Sequence, residues 1–144
     1  LQQHFYLGNL DARRDWGHAR DYVDGMWRIV QQSEPGDYVL ATGESHSVRE
    51  FVELAFAEVG RRIEWRGNGT KEEGIDVGSG DVLVKVDPRY FRPTEVEFLQ
   101  GDASKAARVL NWRATTTFHE LVREMVGADM SLLAREREVH ASSE

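Results

Sequence analysis

Apolar residues recur along much of the chain at intervals of three and four positions, the spacing that places them on one face of a helix. The pattern runs through residues 19–30, 48–59 and 118–126, so it predicts three amphipathic helices. Capping-box sequences, in which Ser or Thr is followed three positions later by Glu, begin the second and third helices at residues 47–50 and 117–120. The helices therefore carry most of the apolar surface.

Shorter apolar runs between these helices predict strands. They occupy residues 4–7, 38–41, 63–65 and 82–86. The segment 67–81 contains five glycines, which indicates a mobile surface loop. Asp102 is placed to cap a short helix that continues to Leu110. The expected fold class is thus mixed α/β with few strands, a small unit of the kind that rests against a larger domain.

The 144 residues suffice for a single domain with its own core. A net charge of −7 argues against a general nucleic-acid or membrane surface, but it leaves room for a local anion site built from one or two arginines. No apolar run approaches the roughly 20 residues of a membrane span. The absence of cysteine excludes disulfides and thiolate chemistry, and it suits a cytoplasmic location. The chain starts at Leu1 rather than at methionine and runs directly into apolar residues, which predicts a piece of a longer protein.

Residue patterns that mark common catalytic or cofactor sites are missing from the sequence. The glycine pairs at 67–69 and 78–80 lack the third glycine and the following helix of a dinucleotide-binding motif. No tyrosine is followed four positions later by lysine, the acid/base pair of short-chain dehydrogenases. The five histidines show no metal-ligand spacing. We therefore expect no catalytic, cofactor-binding or metal-binding residue in this chain.

Two segments carry residue types that could bind a phosphorylated ligand. The first, residues 7–18, brings Arg14 to the loop after a predicted strand, and a guanidinium group matches phosphate oxygens. The second, residues 92–96, places a stiff proline between Arg92 and the carboxylate of Glu95, which could accept hydrogen bonds from ribose hydroxyls. A surface ion pair with a neighbouring aspartate, or a structural ion pair or cap, explains the same residues. Spacing alone favours these structural ion pairs or caps over a bound ligand, but it does not exclude the ligand.

Four stretches of the sequence resemble the GDP-mannose 4,6-dehydratase family of extended short-chain dehydrogenases. They are residues 8–23, 41–52, 86–102 and 105–112, and the likeness extends from about residue 5 to about residue 133. The turn Arg14-Asp15-Trp16 is similar to one in many short-chain dehydrogenases that act on nucleotide sugars. Two other stretches are more specific and resemble the GDP-mannose family in particular. They are Asn9-Leu10-Asp11-Ala12 and Arg92-Pro93-Thr94-Glu95-Val96.

The resemblance implies a small mixed α/β substrate-binding lobe, with the Rossmann domain mostly absent. Residues 1–134 are then the sugar-nucleotide-binding region, and residues 135–144 a disordered polar tail. Whole enzymes of the family are lyases that convert GDP-mannose to GDP-4-keto-6-deoxy-mannose, a precursor of GDP-fucose. Their NADP and catalytic residues belong to the N-terminal Rossmann domain, which is the implied partner of this chain. The chain alone is expected to be inactive, and the full-length protein is expected to be a homo-oligomer.

The same resemblance assigns five residues to the bound nucleotide. Arg14 and Arg92 are expected to hold the pyrophosphate, and Glu95 to bind the ribose hydroxyls. Gly8 and Asn9 are expected to line the pocket near the base. Tyr90 could pack near the nucleotide, but an aromatic residue there is more often part of the core, so it is not assigned to the site. Asp15 and Trp16 are interpreted as scaffold of the arginine loop, and His18 and Asp21 as scaffold of the helix start.

Two alternatives stay open on the sequence. The chain could be a non-catalytic nucleotide-sugar-binding or interaction module, or it could be the same part of a dehydratase or epimerase for another nucleotide sugar. The reading frame upstream of Leu1 separates the module from the enzyme, and binding of GDP, UDP and dTDP separates the possible substrates.

Overall fold

Strands and helices follow one another irregularly in the computed structural model, which describes residues 3–141. In chain order the elements are β1 (Phe5–Leu7), β2 (Arg13–Arg14), α1 (Ala19–Val30), β3 (His46–Ser47), α2 (Val48–Glu58), β4 (Ile63–Arg66), β5 (Glu73–Asp76), β6 (Val82–Val86), α3 (Ser104–Val109) and α4 (Phe118–Ala141). The mixed α/β prediction is confirmed, as are both capping boxes, which start α2 and α4. No helix within the described range is both long and apolar enough to cross a membrane.

Two sheets organise the strands. The larger has the order β1-β6-β5-β4, in which β1 runs parallel to β6 and the other neighbours are antiparallel. The smaller pairs β2 with β3, and an isolated bridge joins Arg13 to Phe98 on its other side. The loop predicted after β1 therefore contains a short strand, which fixes the position of the two arginines.

The glycine-rich segment is partly a strand, so the prediction of a surface loop across 67–81 is wrong for residues 73–76. These residues form β5, which lies between β4 and β6. A Cβ atom at Gly74 would lie 3.0 Å from the side chains of Ile63 and Trp65 and 3.1 Å from Val84. Glycine fits here because the neighbouring strands leave no space for a side chain, and such crowding leaves no periodic signal in the sequence.

Residues 38–41 belong to no strand, so the strand predicted there is wrong. A β-strand needs a hydrogen-bonded neighbour, and an apolar run does not supply one. Tyr38 and Leu40 instead pack against a buried cluster formed by Ala106, Leu110 and Trp112. The segment is thus held by its side chains rather than by its backbone.

A second aromatic cluster joins the small sheet to the helices. The Trp16 ring lies edge-on to Phe51 at 5.0 Å and stacks on Phe118 at 5.6 Å. Phe118 and Val122 are buried at the start of α4. The interpretation of Trp16 as a packing residue is therefore supported by its contacts.

The last helix continues beyond its apolar part. Leu132 and Leu133 are exposed, and α4 extends through Arg135 to Ala141, where the sequence predicts a disordered polar tail. Arginine and glutamate are good helix formers, so the run of alternating charges favours a helix there. The boundary at residue 134 stays a prediction, and residues 142–144 lie outside the described range.

Asp21 ties α1 to the connection that precedes α4. Its carboxylate accepts hydrogen bonds from Thr115 N at 3.0 Å, Thr115 Oγ1 at 2.7 Å and Thr116 N at 2.9 Å. Burial alone would raise the pKa of Asp21, but these hydrogen bonds outweigh it and lower the pKa from 3.8 to about 2. The residue is a structural anchor, in agreement with its interpretation as scaffold.

Replacing Asp21 by asparagine should remove a pH-dependent part of the stability. Because the folded-state pKa is lower than the unfolded one, the carboxylate stabilises the fold above about pH 4 and loses this effect as the pH falls toward 2. We expect D21N to lower the free energy of unfolding at pH 7 by about 2 kcal/mol, since an amide cannot accept all three hydrogen bonds. Urea denaturation at pH 2 to 7 measures both this loss and a flatter pH profile.

Asp24→Asn is the matched control, because Asp24 lies on the same helix in an exposed ion pair with Arg28. This variant should lose no more than about 0.5 kcal/mol. Equal pH profiles for the D21N variant and the wild type would contradict the assignment of Asp21 as the anchor.

Candidate functional site

A pocket of about 300 Å³ opens at the carboxyl end of β1. All five residues predicted to contact a nucleotide line it, together with Leu7, Ala12, Val48, Arg89 and Tyr90. We call it the β1 pocket. The five predicted residues come from three separate segments of the chain, so the fold assembles them.

The small sheet brings two of these segments together. Arg13 N donates a hydrogen bond to Glu97 O at 2.7 Å, and Leu99 N donates to Arg13 O at 3.1 Å. Residues 97–99 therefore run alongside β2. This pairing carries Glu95 to the side chain of Arg14, 81 positions away in the sequence.

Asn9, which lies in the third segment, fixes the backbone of the segment that carries Arg92 and Glu95. Its Nδ2 donates to Arg92 O at 2.8 Å, while Arg92 N donates to Asn9 Oδ1 at 2.8 Å. Both ends of the amide are thus used on the protein backbone. Asn9 lines the pocket, and its contacts position Arg92.

Gly8 lies where the chain passes close to the loop after β6. A Cβ atom added at Gly8 would clash with the carbonyl oxygen of Tyr90 and lie 3.0 Å from the carbonyl carbon. Only glycine allows this approach, because the atoms it meets belong to backbone that cannot rotate away. The pocket wall depends on this contact.

Arg14 and Glu95 form a half-buried ion pair across the pocket. Arg14 Nη2 donates to Glu95 Oε1 at 2.6 Å, and Nη1 donates to Val96 O at 2.7 Å and to Arg13 O at 2.8 Å. These bonds use three of the five guanidinium hydrogens. The Nε hydrogen and one Nη2 hydrogen have no partner among residues 3–141.

The alternative in which Arg14 forms a surface ion pair with a neighbouring aspartate is wrong. Asp11 instead pairs with Arg49 at 2.9 Å. Asp15 accepts hydrogen bonds from Thr42 N at 2.9 Å and Gly43 N at 3.0 Å. Burial raises the pKa of Asp15, but these bonds and others from Thr42 and Gly101 lower it overall. Asp15 therefore joins loops as part of the scaffold.

Arg92 supplies the uncompensated positive charge of the β1 pocket. Its guanidinium makes no hydrogen bond or ion pair within the described part of the chain. Arg89 is already paired, since its Nη2 lies 2.6 Å from Asp87 Oδ2 and hydrogen bonds from Arg89 lower the pKa of that carboxyl. With the pairs Arg14–Glu95 and Arg89–Asp87 satisfied, Arg92 leaves the pocket positive in a protein whose net charge is −7. An anion is the ligand that such a charge favours.

Tyr90 lines the pocket, although the sequence favours a core position for it. Its side chain is 56% exposed rather than part of the core, and the Arg89 guanidinium carbon lies 5.7 Å from its ring centre. The signal in the sequence is the position of Tyr90 between Arg89 and Arg92, shortly after Asp87-Pro88. Asp-Pro is typical of a turn rather than of an amphipathic element. An exposed ring at a pocket mouth can stack on a planar ligand.

Two of the other cavities are much larger than the β1 pocket. One, of about 550 Å³, shares Gly8, Asn9, Ala12 and Glu95 with the β1 pocket. It adds the apolar side chains of Val86, Phe91 and Phe98, and the charged side chains Asp11, Arg13, Glu72 and Glu97. The other, of about 630 Å³, is bounded by Gly43, Gly101, Arg108 and Arg113, and we call it the Gly43 cavity. It contains none of the five predicted residues. The β1 pocket and the 550 Å³ cavity beside it are therefore the candidate site because of the side chains that line them, not because of their volume.

Known proteins match this chain over most of its length. The family model described as GDP-mannose 4,6 dehydratase matches residues 1–125. The GDP-mannose 4,6-dehydratase of Sinorhizobium fredii is 60% identical over 137 residues, covering 95% of this chain and 39% of that protein. The Drosophila melanogaster GDP-mannose 4,6 dehydratase is 57% identical over 133 residues, covering 92% of this chain and 34% of that protein.

A solved structure, RMD from Pseudomonas aeruginosa complexed with NADPH, is similar in fold. It has a TM-score of 0.65 at 16% sequence identity, and the match covers 88% of this chain and 36% of that one. The chain thus spans little more than a third of the length of these relatives.

Proposed function

Since the chain belongs to the GDP-mannose 4,6-dehydratase family, we propose that the β1 pocket binds the GDP part of GDP-mannose within a whole dehydratase. The observation that carries this proposal is the arrangement of Arg14, Arg92 and Glu95 in one pocket. Two cations and a carboxylate there match two chemically different parts of one ligand.

The spacing of these groups suits a nucleoside diphosphate. Pyrophosphate and ribose are adjacent in such a ligand, and the Arg14 and Glu95 side chains are 2.6 Å apart. The unused donors of Arg14 and the free guanidinium of Arg92 suit phosphate oxygens. Glu95 can accept hydrogen bonds from the vicinal ribose hydroxyls. The cavity next to Gly8, where apolar side chains lie beside charged ones, offers a place for the base.

In this proposal the chain contributes binding rather than bond making. Interactions with the nucleotide, remote from the reacting sugar, hold and orient the mannosyl group for the catalytic residues of the N-terminal portion. That portion carries out the conversion to GDP-4-keto-6-deoxy-mannose with bound NADP, which supplies the hydride acceptor. The chain alone is then inactive as a dehydratase.

The residues described here do not fit the cofactor. Gly67 precedes a 3₁₀ turn over Gly69–Lys71, and residues 78–80 form the connection between β5 and β6. Neither glycine segment opens an α-helix, whose N-terminus is what holds a dinucleotide pyrophosphate. We therefore assign NADP to the N-terminal portion and no cofactor role to this chain.

Isothermal titration of GDP, GMP and guanosine into the 144-residue chain tests the proposed function. We expect GDP to bind with a Kd of about 10 µM to 1 mM, since only part of the substrate pocket is present. GMP should bind more weakly and guanosine most weakly, because each lost phosphate removes charge-assisted hydrogen bonds. Equal binding of GDP and guanosine, or no binding of either by the folded chain, contradicts the proposal.

Asn9→Ala extends the same titration. It removes the two hydrogen bonds that hold the Arg92 backbone but no ligand contact that the proposal requires. We expect GDP affinity to fall about 3- to 10-fold because the Arg92 guanidinium loses its fixed position. An unchanged Kd would show that Asn9 does not position Arg92 for binding.

A further inference from the structure

His46 lies directly beside the strand that carries Arg14. In the small sheet, His46 of β3 is the antiparallel partner of Arg14 of β2. The His46 ring stacks on Phe118, with the ring centres 4.0 Å apart and an angle of 6° between the ring planes. The imidazole is therefore held between the small sheet and the start of α4, where a change in its charge acts on the strand that supplies Arg14 to the β1 pocket.

Both ring nitrogens of His46 face a carboxylate. Nε2 lies 3.6 Å from Glu44 Oε2, and Nδ1 lies 3.9 Å from Glu50 Oε2. Nε2 is buried, and neither nitrogen makes a hydrogen bond in the described part of the chain. Arg13 of β2 is the nearby cation, and its Nη1 lies 3.7 Å from Glu50 Oε2. Segment 114–118, which lines a small cavity together with the His46 ring, carries no charged side chain.

Only the doubly protonated ring of His46 suits both carboxylates. A neutral imidazole has one N–H donor and one nitrogen lone pair. In either tautomer that lone pair points at an oxygen of Glu44 or Glu50, and the two repel each other. The imidazolium instead presents an N–H group to each carboxylate, and its charge is also attracted by the face of the Phe118 ring. The geometry therefore favours the protonated form.

The same cluster of charges holds β2 and β3 together. Arg13 Nη2 donates a hydrogen bond to Ser45 O, and its Nη1 faces Glu50 of α2. A protonated His46 adds an attraction between β3 and α2, whereas a neutral ring adds a repulsion. Because β3 pairs with β2, the position of Arg14 follows the charge of His46.

We propose that His46 is a positioning residue for Arg14, and that its protonated form holds Arg14 in place for the pyrophosphate of the substrate. The inference rests on the proposed function, because it takes Arg14 as a phosphate ligand. It adds to that function a dependence of nucleotide binding on pH, with tighter binding on the acidic side of neutrality.

Titration of GDP-mannose into the 144-residue chain at pH 6 and at pH 8 tests the inference. Both phosphates of this ligand are esterified, so they lack the ionisation near neutral pH that a terminal phosphate has. We expect the wild type to bind about 3- to 10-fold more weakly at pH 8, because a neutral His46 no longer holds β3 against α2. His46→Gln should have the same Kd at both pH values, since an amide does not titrate in this range.

Glu44→Gln distinguishes an effect of charge from an effect of packing. The glutamine amide can donate to the Nε2 lone pair of a neutral His46, which removes the repulsion at high pH. This variant should therefore bind GDP-mannose at pH 8 about as tightly as the wild type does at pH 6. His119→Gln is the matched control, because the His119 ring lies 6.3 Å from the same Phe118 but makes no ion pair in the described part of the chain. It should keep the pH dependence of the wild type.

Urea denaturation at the same two pH values gives a readout that does not need the ligand. From pH 6 to pH 8 the unfolding equilibrium constant of the wild type should rise about 3- to 10-fold more than that of the His46→Gln variant. The sign follows because a proton that stabilises the folded state is lost as the pH rises.

A wild-type Kd that is equal at pH 6 and pH 8 overturns the proposal, and so does a pH dependence that the His46→Gln variant retains. GDP-mannose binding whose pH dependence does not involve His46 therefore overturns this inference alone. The change in stability without any GDP-mannose binding overturns the proposed function, because the cluster then holds β2 in a chain that takes no nucleotide.

Discussion

Replacing Arg92 by alanine should weaken GDP binding about 10- to 100-fold. The Arg92 guanidinium makes no hydrogen bond or ion pair in the described part of the chain, so its charge is available to a ligand. Charge-assisted hydrogen bonds to phosphate contribute on the order of 1.5–3 kcal/mol, which corresponds to this loss of affinity. Because the side chain is exposed and unpaired, the fold should keep its stability. Calorimetric titration with GDP measures the Kd, and thermal unfolding checks the fold.

Two further variants show whether the loss of affinity is specific to the Arg92 guanidinium. Arg62→Ala makes the same charge change at an exposed position outside the β1 pocket, and it should leave the Kd nearly unchanged. Arg92→Lys keeps the charge but loses the planar fork, so an intermediate affinity is expected. Equal affinities for the wild type and the R92A variant would remove Arg92 from the site. An equal loss in the R62A variant would reduce the effect to general electrostatics.

Replacing Gly8 by alanine should damage the fold and the site together. The new Cβ would clash with the Tyr90 carbonyl, so either β1 or the loop after β6 must move. Overpacking of this kind costs about 1–3 kcal/mol. Movement of the loop also displaces Arg92 from its hydrogen bonds with Asn9, so we expect GDP affinity to fall at least about 10-fold. Urea denaturation and GDP titration measure the two effects.

Gly78→Ala is the matched control for Gly8. The nearest atoms to a Cβ at Gly78 are the carboxylate oxygens of Asp76, at 3.7 and 3.9 Å, which is ordinary contact. This variant should keep both stability and affinity within about 0.5 kcal/mol and twofold. A Gly8→Ala protein as stable and as tight-binding as the wild type would show that the approach to Tyr90 is not needed.

Local signals in the sequence predict the elements that depend on local interactions. The periodicity of residues 19–30 and the capping box at Ser47 fix α1 and the start of α2, because both signals act within one or two turns. They do not predict what lies against each element. The α1 stripe is found by its spacing, but its exposure depends on packing by Gly25 and Asp21 from the other side.

The failures have the same physical origin. Gly74 lies in a strand whose neighbours leave room only for glycine, and residues 38–41 are not a strand because no backbone among residues 3–141 pairs with them. Both outcomes depend on residues that are distant in the sequence. Periodicity contains no such information.

The candidate site was found by resemblance rather than by spacing. Spacing alone favoured surface ion pairs, and the structure does pair Arg14, though with Glu95 rather than with Asp11 or Asp15. Only the fold shows that the two segments meet, through the bridge beside β2. Tyr90 was missed because its exposure follows from the loop path after β6, which no local pattern encodes.

A ¹⁵N NMR titration of the 144-residue chain with GDP tests most directly whether the β1 pocket holds the nucleotide. The account predicts saturable shifts of the Gly8, Asn9, Arg92 and Glu95 amides, all with one Kd and with little change around the larger Gly43 cavity. Shifts confined to the Gly43 cavity, or no shifts in a folded chain at millimolar GDP, would contradict it.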